Sequence, residues 1–305
     1  MKRILLSISA TFFILFLKGQ SVPVCDHYYN NTLSFNPAFA GSSDALSVTI
    51  LYRNQWVGFT DAPKNNNISV HTPLKNDRIG LGLLLENSSY GINRETGITG
   101  NYAYRLEAGR GILALGLGFG AIVKYSDWSK IIAADQNDLL LMNNPETAVL
   151  PDFSLGMYYY TRKYFLGLSL PMLLTHELNP TTGKYSIKND FSEYSYFLEG
   201  GYFFDLTRHL KMLPSCLVKY HAGNKPQIDI NTSFIIQDRI WLGLGYRNTQ
   251  TLLGLLQLQI SRQFMMAYSY SFDSGTMGKN NNGSHEVVLN YLFNYSRKVP
   301  GPRQN

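Results

Sequence analysis

Hydrophobic and polar positions alternate with a period of two along nearly the whole chain, the spacing of β-strands with one large apolar face. Leu113, Leu115, Leu117, Phe119, Ala121 and Val123 share one face of a run whose other face is Ile112, Ala114, Gly116, Gly118, Gly120 and Ile122. Ile79, Leu81, Leu83 and Leu85 alternate with Gly80 and Gly82, and Leu166, Leu168 and Leu170 with Gly167 and Ser169. Met266, Tyr268, Tyr270 and Phe272 alternate with Ala267, Ser269 and Ser271, while Val287, Leu289, Tyr291 and Phe293 alternate in part with Glu286 and Asn290. The pattern predicts fourteen strands, near 45–58, 66–74, 78–88, 95–106, 111–125, 151–160, 164–174, 193–205, 210–221, 226–237, 240–248, 252–261, 264–273 and 285–295. Most are close to the ~9–11 residues that a tilted strand needs to cross a bilayer. No long amphipathic helix is predicted; 129–150 has room for a short helical turn.

The connections alternate in length. Those at 59–65, 89–94, 126–150, 175–192 and 274–284 are mostly long, although 222–225 and 249–251 in the same set are short. The others are tight: "LKND" near 75–77, "EAGR" at 107–110, "TRK" at 161–163, "LTRH" at 206–209, "QDR" at 237–239 and "SRQ" at 261–263. Membrane barrels have this asymmetry, with short periplasmic turns and longer external loops, and a soluble sandwich has no reason for it. An even strand count places both chain ends on the short-turn side, and closure removes the open edges. The predicted fold is therefore all-β: a transmembrane antiparallel up-and-down barrel of about fourteen strands over 45–295, with 126–150 and 175–192 facing outside.

Composition supports an exported membrane protein. Met1-Lys2-Arg3, the apolar run Ile4–Leu17 and Lys18-Gly19-Gln20 read as a signal peptide over 1–19. That leader holds three of the 27 basic residues and none of the 21 acidic ones, so the mature chain is only +3 and gives no case for nucleic acid. The polar residues 296–305 read as a periplasmic tail. Cys25 and Cys216 would be free to bridge in an oxidising compartment, or to remain two thiols. Cys25 follows Val22-Pro23-Val24 rather than a small-residue lipobox, which argues against lipidation. The six histidines are scattered, and no metal-ligand spacing, Walker loop, GxSxG or CxxC occurs, so neither an enzyme nor a cofactor is expected.

Before the first strand lies "LSFNPAFAGSSD" (33–44), which combines turn residues with apolar ones. Within a periplasmic segment 20–44, Leu33, Phe35 and Phe39 would be buried if the segment packed into the barrel mouth as a plug, with Asn36-Pro37 turning the chain into strand one. The alternative is a structured lead-in. The inward glycines Gly80, Gly82, Gly116, Gly118, Gly120, Gly243 and Gly245 bear on this choice. The simpler reading is that they let strands coil and bend; the other is that they leave room for a luminal segment.

Two motifs resemble the PorP/SprF family of the Bacteroidetes type IX secretion system. "YYNNTLSFNPAFAG" (Tyr28 to Gly41), with Phe35, Asn36, Pro37, Ala38, Phe39 and Gly41, is similar to the family's N-terminal "YY…NPAYAG" signature. "YRNQW" in strand one is similar to its R-x-Q-W motif, with Arg53, Gln55 and Trp56. "GLGL" after Ile79, "YYYTRKYFLGLSLP" (158–171) and "EVVLNYLF" (286–293) also resemble it, so the likeness runs from about 25 to 295. It implies an outer-membrane barrel of a Gram-negative, Bacteroidetes-like cell. It also implies partners: a secreted protein with a C-terminal sorting domain, such as a gliding adhesin, and periplasmic components of the machine. "VCDHYYNN" departs from the family with Cys25 and His27. Asn-Pro-Ala alone also occurs in FadL-type channels for small hydrophobic molecules, which are the alternative. By alternation Arg53 and Gln55 share a face and Trp56 takes the other. An Arg–Gln pair would then hold plug carbonyls from the lumen, and the Trp would join an interfacial girdle.

Overall fold

The computed structural model describes residues 25–293 except 44, 75–76, 128–146, 180–183, 190, 222–223, 276–277 and 279–280. The expected leader, the tail and most of loop 126–150, with its helical turn, lie outside the described residues.

Alternation is realised as an inside-out barrel. The wall strands are β1 (Leu46–Asn54), β2 (Lys64–Pro73), β3 (Ile79–Tyr90), β4 (Asn93–Ala108), β5 (Gly111–Ser126), β6 (Ala148–Tyr160) and β7 (Tyr164–Leu170). A hairpin follows, β8 (Thr175–Leu178) with β9 (Tyr185–Lys188), outside the wall sheet. The wall continues with β10 (Ser195–Tyr202), β11 (Phe204–Thr207), β12 (Leu210–His221), β13 (Gln227–Ile236), β14 (Ile240–Arg247), β15 (Thr251–Gln259), β16 (Phe264–Asp273) and β17 (Ser284–Phe293). Neighbours in sequence pair antiparallel, and β1 pairs with β17 from Leu46↔Phe293 to Asn54↔His285, which closes the sheet. Since β10 and β11 are one strand interrupted at Phe203 and both pair with β12, the wall has the expected fourteen strands.

Large apolar side chains point outward. Leu117 is 57% exposed, Leu244 76% and Leu252 54%, values that only lipid can satisfy on such a scale. Outward Tyr164, Tyr202, Phe204, Tyr291 and Phe293 ring the short-turn end, and Tyr52, Tyr90, Tyr125, Tyr220 and Tyr246 the other, with Leu and Ile between them. These are the two aromatic girdles of a membrane barrel. The inward rows are polar and buried: Thr49, Ser69, Asn101, Ser169, Glu199, Asn231, Gln257 and Ser269. Short turns are built by local chemistry; in the three-residue connection 237–239, Gln237 and Asp238 both take positive φ, 51° and 55°, and Arg239 N–H closes onto Ile236 O (3.0 Å).

The structure departs from expectation in three places. Strand one ends at Asn54, not 58: Gln55 N–H still bonds Pro63 O opposite it (2.9 Å), but Trp56 then adopts φ 46° and leaves the ladder. The outer loop after β7 contains the β8–β9 hairpin. β7 itself stops at Leu170, short of 174; beyond it Leu173 N–H reaches Phe153 O (2.9 Å) and the side chain of His176 reaches Pro151 O (3.0 Å), so irregular chain continues the wall beside β6. Of the two alternatives open for the cysteines, the structure has two free thiols, Cys25 in the lumen and Cys216 on β12.

Candidate functional site

Residues 25–43 lie inside the barrel. Three short 3-10 turns, Tyr28–Asn30, Thr32–Ser34 and Pro37–Phe39, fold the segment into a compact body. The third is fixed locally: Asn36 caps it by accepting the Ala38 N–H (3.1 Å), and Pro37 at its first position needs no N–H partner there. All of these residues are buried except Tyr29 and Ser34, which are half-buried.

The apolar part of the segment packs at the short-turn end. Leu33, Ala38, Phe39 and Ala40 join Ala103, Ala114, Tyr158, Tyr160, Phe165, Leu213 and Ile235 of the wall in one core. Phe39 lies edge-on to Tyr158 and His71, each with centroids 5.3 Å away. Tyr28 and Phe35 form a second core with Phe197 and Leu217, and the Tyr28 hydroxyl bonds Ser215 (2.8 Å). Asn36 donates to Met157 O (3.2 Å), and Gly41 N–H to His71 Nδ1 (3.2 Å).

The glycines show how closely the wall fits. A Cβ on Gly80 would lie 2.0 Å from Ala40 O, on Gly116 2.1 Å from Ala38 N, and on Gly156 2.1 Å from Asn36 Oδ1. At these three the simple bending account is insufficient, since a luminal segment occupies the space. Gly118, Gly120, Gly243 and Gly245 differ, because neighbouring-strand atoms such as Ser154 Oγ, Ile98 O, Ser233 Oγ and Asn231 Oδ1 fill theirs.

The N-terminal part is held by charge. Asp26 is paired with Arg53 (2.7 Å) and Arg247 (3.0 Å) and accepts from Ser269 (3.0 Å). Arg53 also pairs with Glu286 (3.0 Å), and Arg247 with Asp229 (2.8 Å). Glu286 in turn accepts the backbone N–H groups of Asp26 and His27, both at 2.9 Å, with His27 Nδ1 at 3.2 Å and the Cys25 thiol at 3.5 Å. Asp26, Arg53, Asp229 and Glu286 are each at most 1% exposed. Burial alone would raise the Asp26 carboxyl, but the two guanidiniums and the hydrogen bonds hold it well below the usual carboxylate range. Burial, then the negative Glu286 and Asp26, push the Cys25 thiol up, so it stays protonated.

The strand-one motif divides. Arg53 faces the lumen, but it holds the carboxylates of Asp26 and Glu286 rather than plug carbonyls, because a buried guanidinium needs negative partners. Gln55 lies just past the end of β1, its N–H on Pro63 O (2.9 Å), and among the described residues its side chain makes no hydrogen bond to Arg53 or to the luminal segment. The Trp56 indole, half-buried, donates to Asp273 (2.7 Å) at the rim instead of standing in a girdle. Asp26, Asp229, Arg247 and Glu286 were not singled out from sequence. Their signal was present: each is a charged residue in, or matched to, an otherwise lumen-facing row near the end of a strand.

On the loop side of the segment lies a cavity of about 110 Å³. Its floor is Leu33, Phe35 and Pro37, its walls include Asn65, Asn67, Glu86, Thr99, Asn101, Asp152 and Ser154, and Pro171 and Met172 border it where β7 ends. Among the described residues no group of three His, Cys, Asp or Glu side chains is placed to hold a metal ion.

Comparison with solved structures finds outer-membrane barrels. The Pseudomonas putida toluene transporter TodX matches 87% of this chain and 94% of its own at 10% identity and TM-score 0.50. The CymD monoaromatic hydrocarbon channel matches 86% and 92% at 11% identity and TM-score 0.49. Omp33 of Acinetobacter baumannii matches 82% and 100% at 6% identity and TM-score 0.48. At such identities the TodX likeness shows the barrel and no more. A search of curated proteins finds no match. The model of the type IX secretion system membrane protein family PorP/SprF matches residues 17–291, nearly the whole chain. With that match over nearly the whole chain and a lipid-facing closed barrel of the predicted strand number, the chain belongs to the PorP/SprF family and is an outer-membrane protein associated with type IX secretion.

Proposed function

We propose that this protein is an accessory component of type IX protein secretion that supports export or surface attachment of a partner protein, such as a large gliding adhesin with a C-terminal sorting domain. Its work is done through protein contacts at the two ends of a sealed barrel, not by chemistry and not by conduction. The observation that carries this reading is the luminal segment 25–43, whose side chains reach the wall on all sides, from Gly80 and Gly116 to Arg247 and Glu286. A second reading has one observation in its favour. β7 ends early beside the cavity, and a lateral gap there would suit a channel for small hydrophobic molecules, such as the toluene that TodX transports.

A Phe35→Asp/Phe39→Asp variant separates the two. Each change sets an unpaired charge against apolar walls, a cost of several kcal/mol that expels the segment, while strand pairing keeps the barrel. The secretion reading expects loss of partner display on the cell surface. Normal display with new permeability to small solutes would favour the channel, and normal display with unchanged permeability would leave the segment without a role in either.

A further inference from the structure

Every short turn of the barrel carries an arginine. Arg78, Arg110, Arg162, Arg208, Arg239 and Arg262 stand in the turns β2–β3, β4–β5, β6–β7, β11–β12, β13–β14 and β15–β16, and all six are exposed. Lys163 and Lys211 add to them, while Asp77, Glu107, Asp205 and Asp238 oppose them, so this rim has eight basic and four acidic side chains, a net +4 among the described residues. Alternation places Arg78, Arg162 and Arg239 next in the rows of Gly80, Tyr160 and Trp241, which face the lumen. The outward positions at this end are aromatic instead, as at Tyr164, Phe204 and Phe293. The charges therefore ring the mouth more than the lipid boundary. That mouth is no hole, because Ala38, Phe39 and Ala40 close it from within.

We propose that this arginine-rimmed, plugged end is the docking surface for an acidic face of a periplasmic protein. The proposal rests on the secretion reading, which requires a periplasmic partner, and adds which end and which chemistry receive it. Arginine stays charged and offers a planar fork that matches carboxylates in bidentate fashion, so it is the cation suited to a fixed acidic counterpart. Arginines on alternate hairpins of a closed sheet are about 12 Å apart, from a strand spacing of about 4.8 Å and a tilt of about 40°. A rigid partner surface can match such a ring; phospholipid phosphates, the other anions available, would be met better from the outward rows. Association should be fast and strongly salt-dependent.

The test uses the full mature barrel in nanodiscs of phosphatidylcholine, with fluorescent poly-L-glutamate as the probe. The expected result is binding that weakens at least about tenfold between roughly 0.05 and 0.5 M salt. A variant with all six arginines changed to Gln should lose binding by about tenfold or more, with heat-modifiable gel mobility retained. If that variant does not fold, R78Q/R162Q/R239Q serves, since these three extend the luminal rows. Probe binding that is equal in wild type and variant overturns the proposal. So does a variant effect seen only as lost thermal stability in discs containing phosphatidylglycerol, which would assign the rim to lipid. In cells, partner display should fall in the Gln variant. Normal display there, with display lost in F35D/F39D, would overturn the docking surface and leave the secretion reading standing.

Discussion

Asp26→Ala should unseat the luminal segment and leave the barrel intact. The carboxylate is 1% exposed and lies 2.7 Å from Arg53 and 3.0 Å from Arg247, with Ser269 donating at 3.0 Å. Removing one partner from a buried ion pair costs about 3–5 kcal/mol, because the other charge stays behind unpaired. Here Glu286 still serves Arg53 and Asp229 still serves Arg247, so the low end, about 3 kcal/mol, applies. At about 1.4 kcal/mol per decade, the ratio of seated to unseated segment falls roughly 100-fold. Cys25 reports the change. Its thiol is enclosed and protonated, and it should react slowly with a water-soluble maleimide in a Cys216→Ser background, then roughly 100-fold faster when Asp26 is alanine. Phe39→Asp, at the other end of the segment, should accelerate labelling too, which controls for any direct effect of Asp26 on the thiol. Unchanged labelling with native gel mobility would refute the idea that these ion pairs seat the segment. Loss of heat-modifiable folding would show that they hold the wall as well.

Three further outcomes follow from the same geometry. Gly116→Ala should displace the segment and raise Cys25 labelling, because the new Cβ would meet Ala38 backbone atoms at 2.1 and 2.4 Å; Gly97→Ala, with nothing nearer than 3.9 Å, should do neither. The segment should stay seated between about pH 5 and 8. Asp26 has a lowered folded pKa, so its contribution is complete above the unfolded value near 3.9 and is lost only in more acid solution, whereas the raised thiol of Cys25 withdraws its contribution above about 8.5; labelling and proteolysis across pH 3–10 check both limits. An epitope tag at Lys184 in the β8–β9 hairpin should be reachable on intact cells and one at Arg162 should not, and the reverse would invert the topology.

Much of the wall was legible because a lipid-facing strand is the simplest of patterns. Every second residue is apolar for a single reason, and hairpin pairing is local, so thirteen of the ladders join consecutive strands and only β1–β17 closes across the chain. Strand ends were less legible where tertiary contacts set them. Trp56 leaves the ladder to reach Asp273, and β7 yields to a Pro171 turn, neither of which alternation encodes. The luminal segment was visible as apolar residues among turn residues, but its burial depends on contacts up to 261 positions away, such as Cys25 with Glu286. The charged lining was the least legible part. Glu286 interrupts an apolar alternation as any exposed residue would, and only its register opposite Arg53 reveals a partner. The arginines of the short turns were in plain view one at a time; their ring exists only once the sheet is closed.

Ionic conductance across a planar lipid bilayer tests most directly whether the barrel is sealed by its own chain. With Phe39, Ala38 and Leu33 packed against Tyr158, Ala114 and Ala103, and Asp26 locked to Arg53 and Arg247, the intact protein should insert without steady conductance. Deleting 26–41 should open a pore of the same fourteen strands. Steady conductance from the intact protein, unchanged by that deletion, would contradict the account.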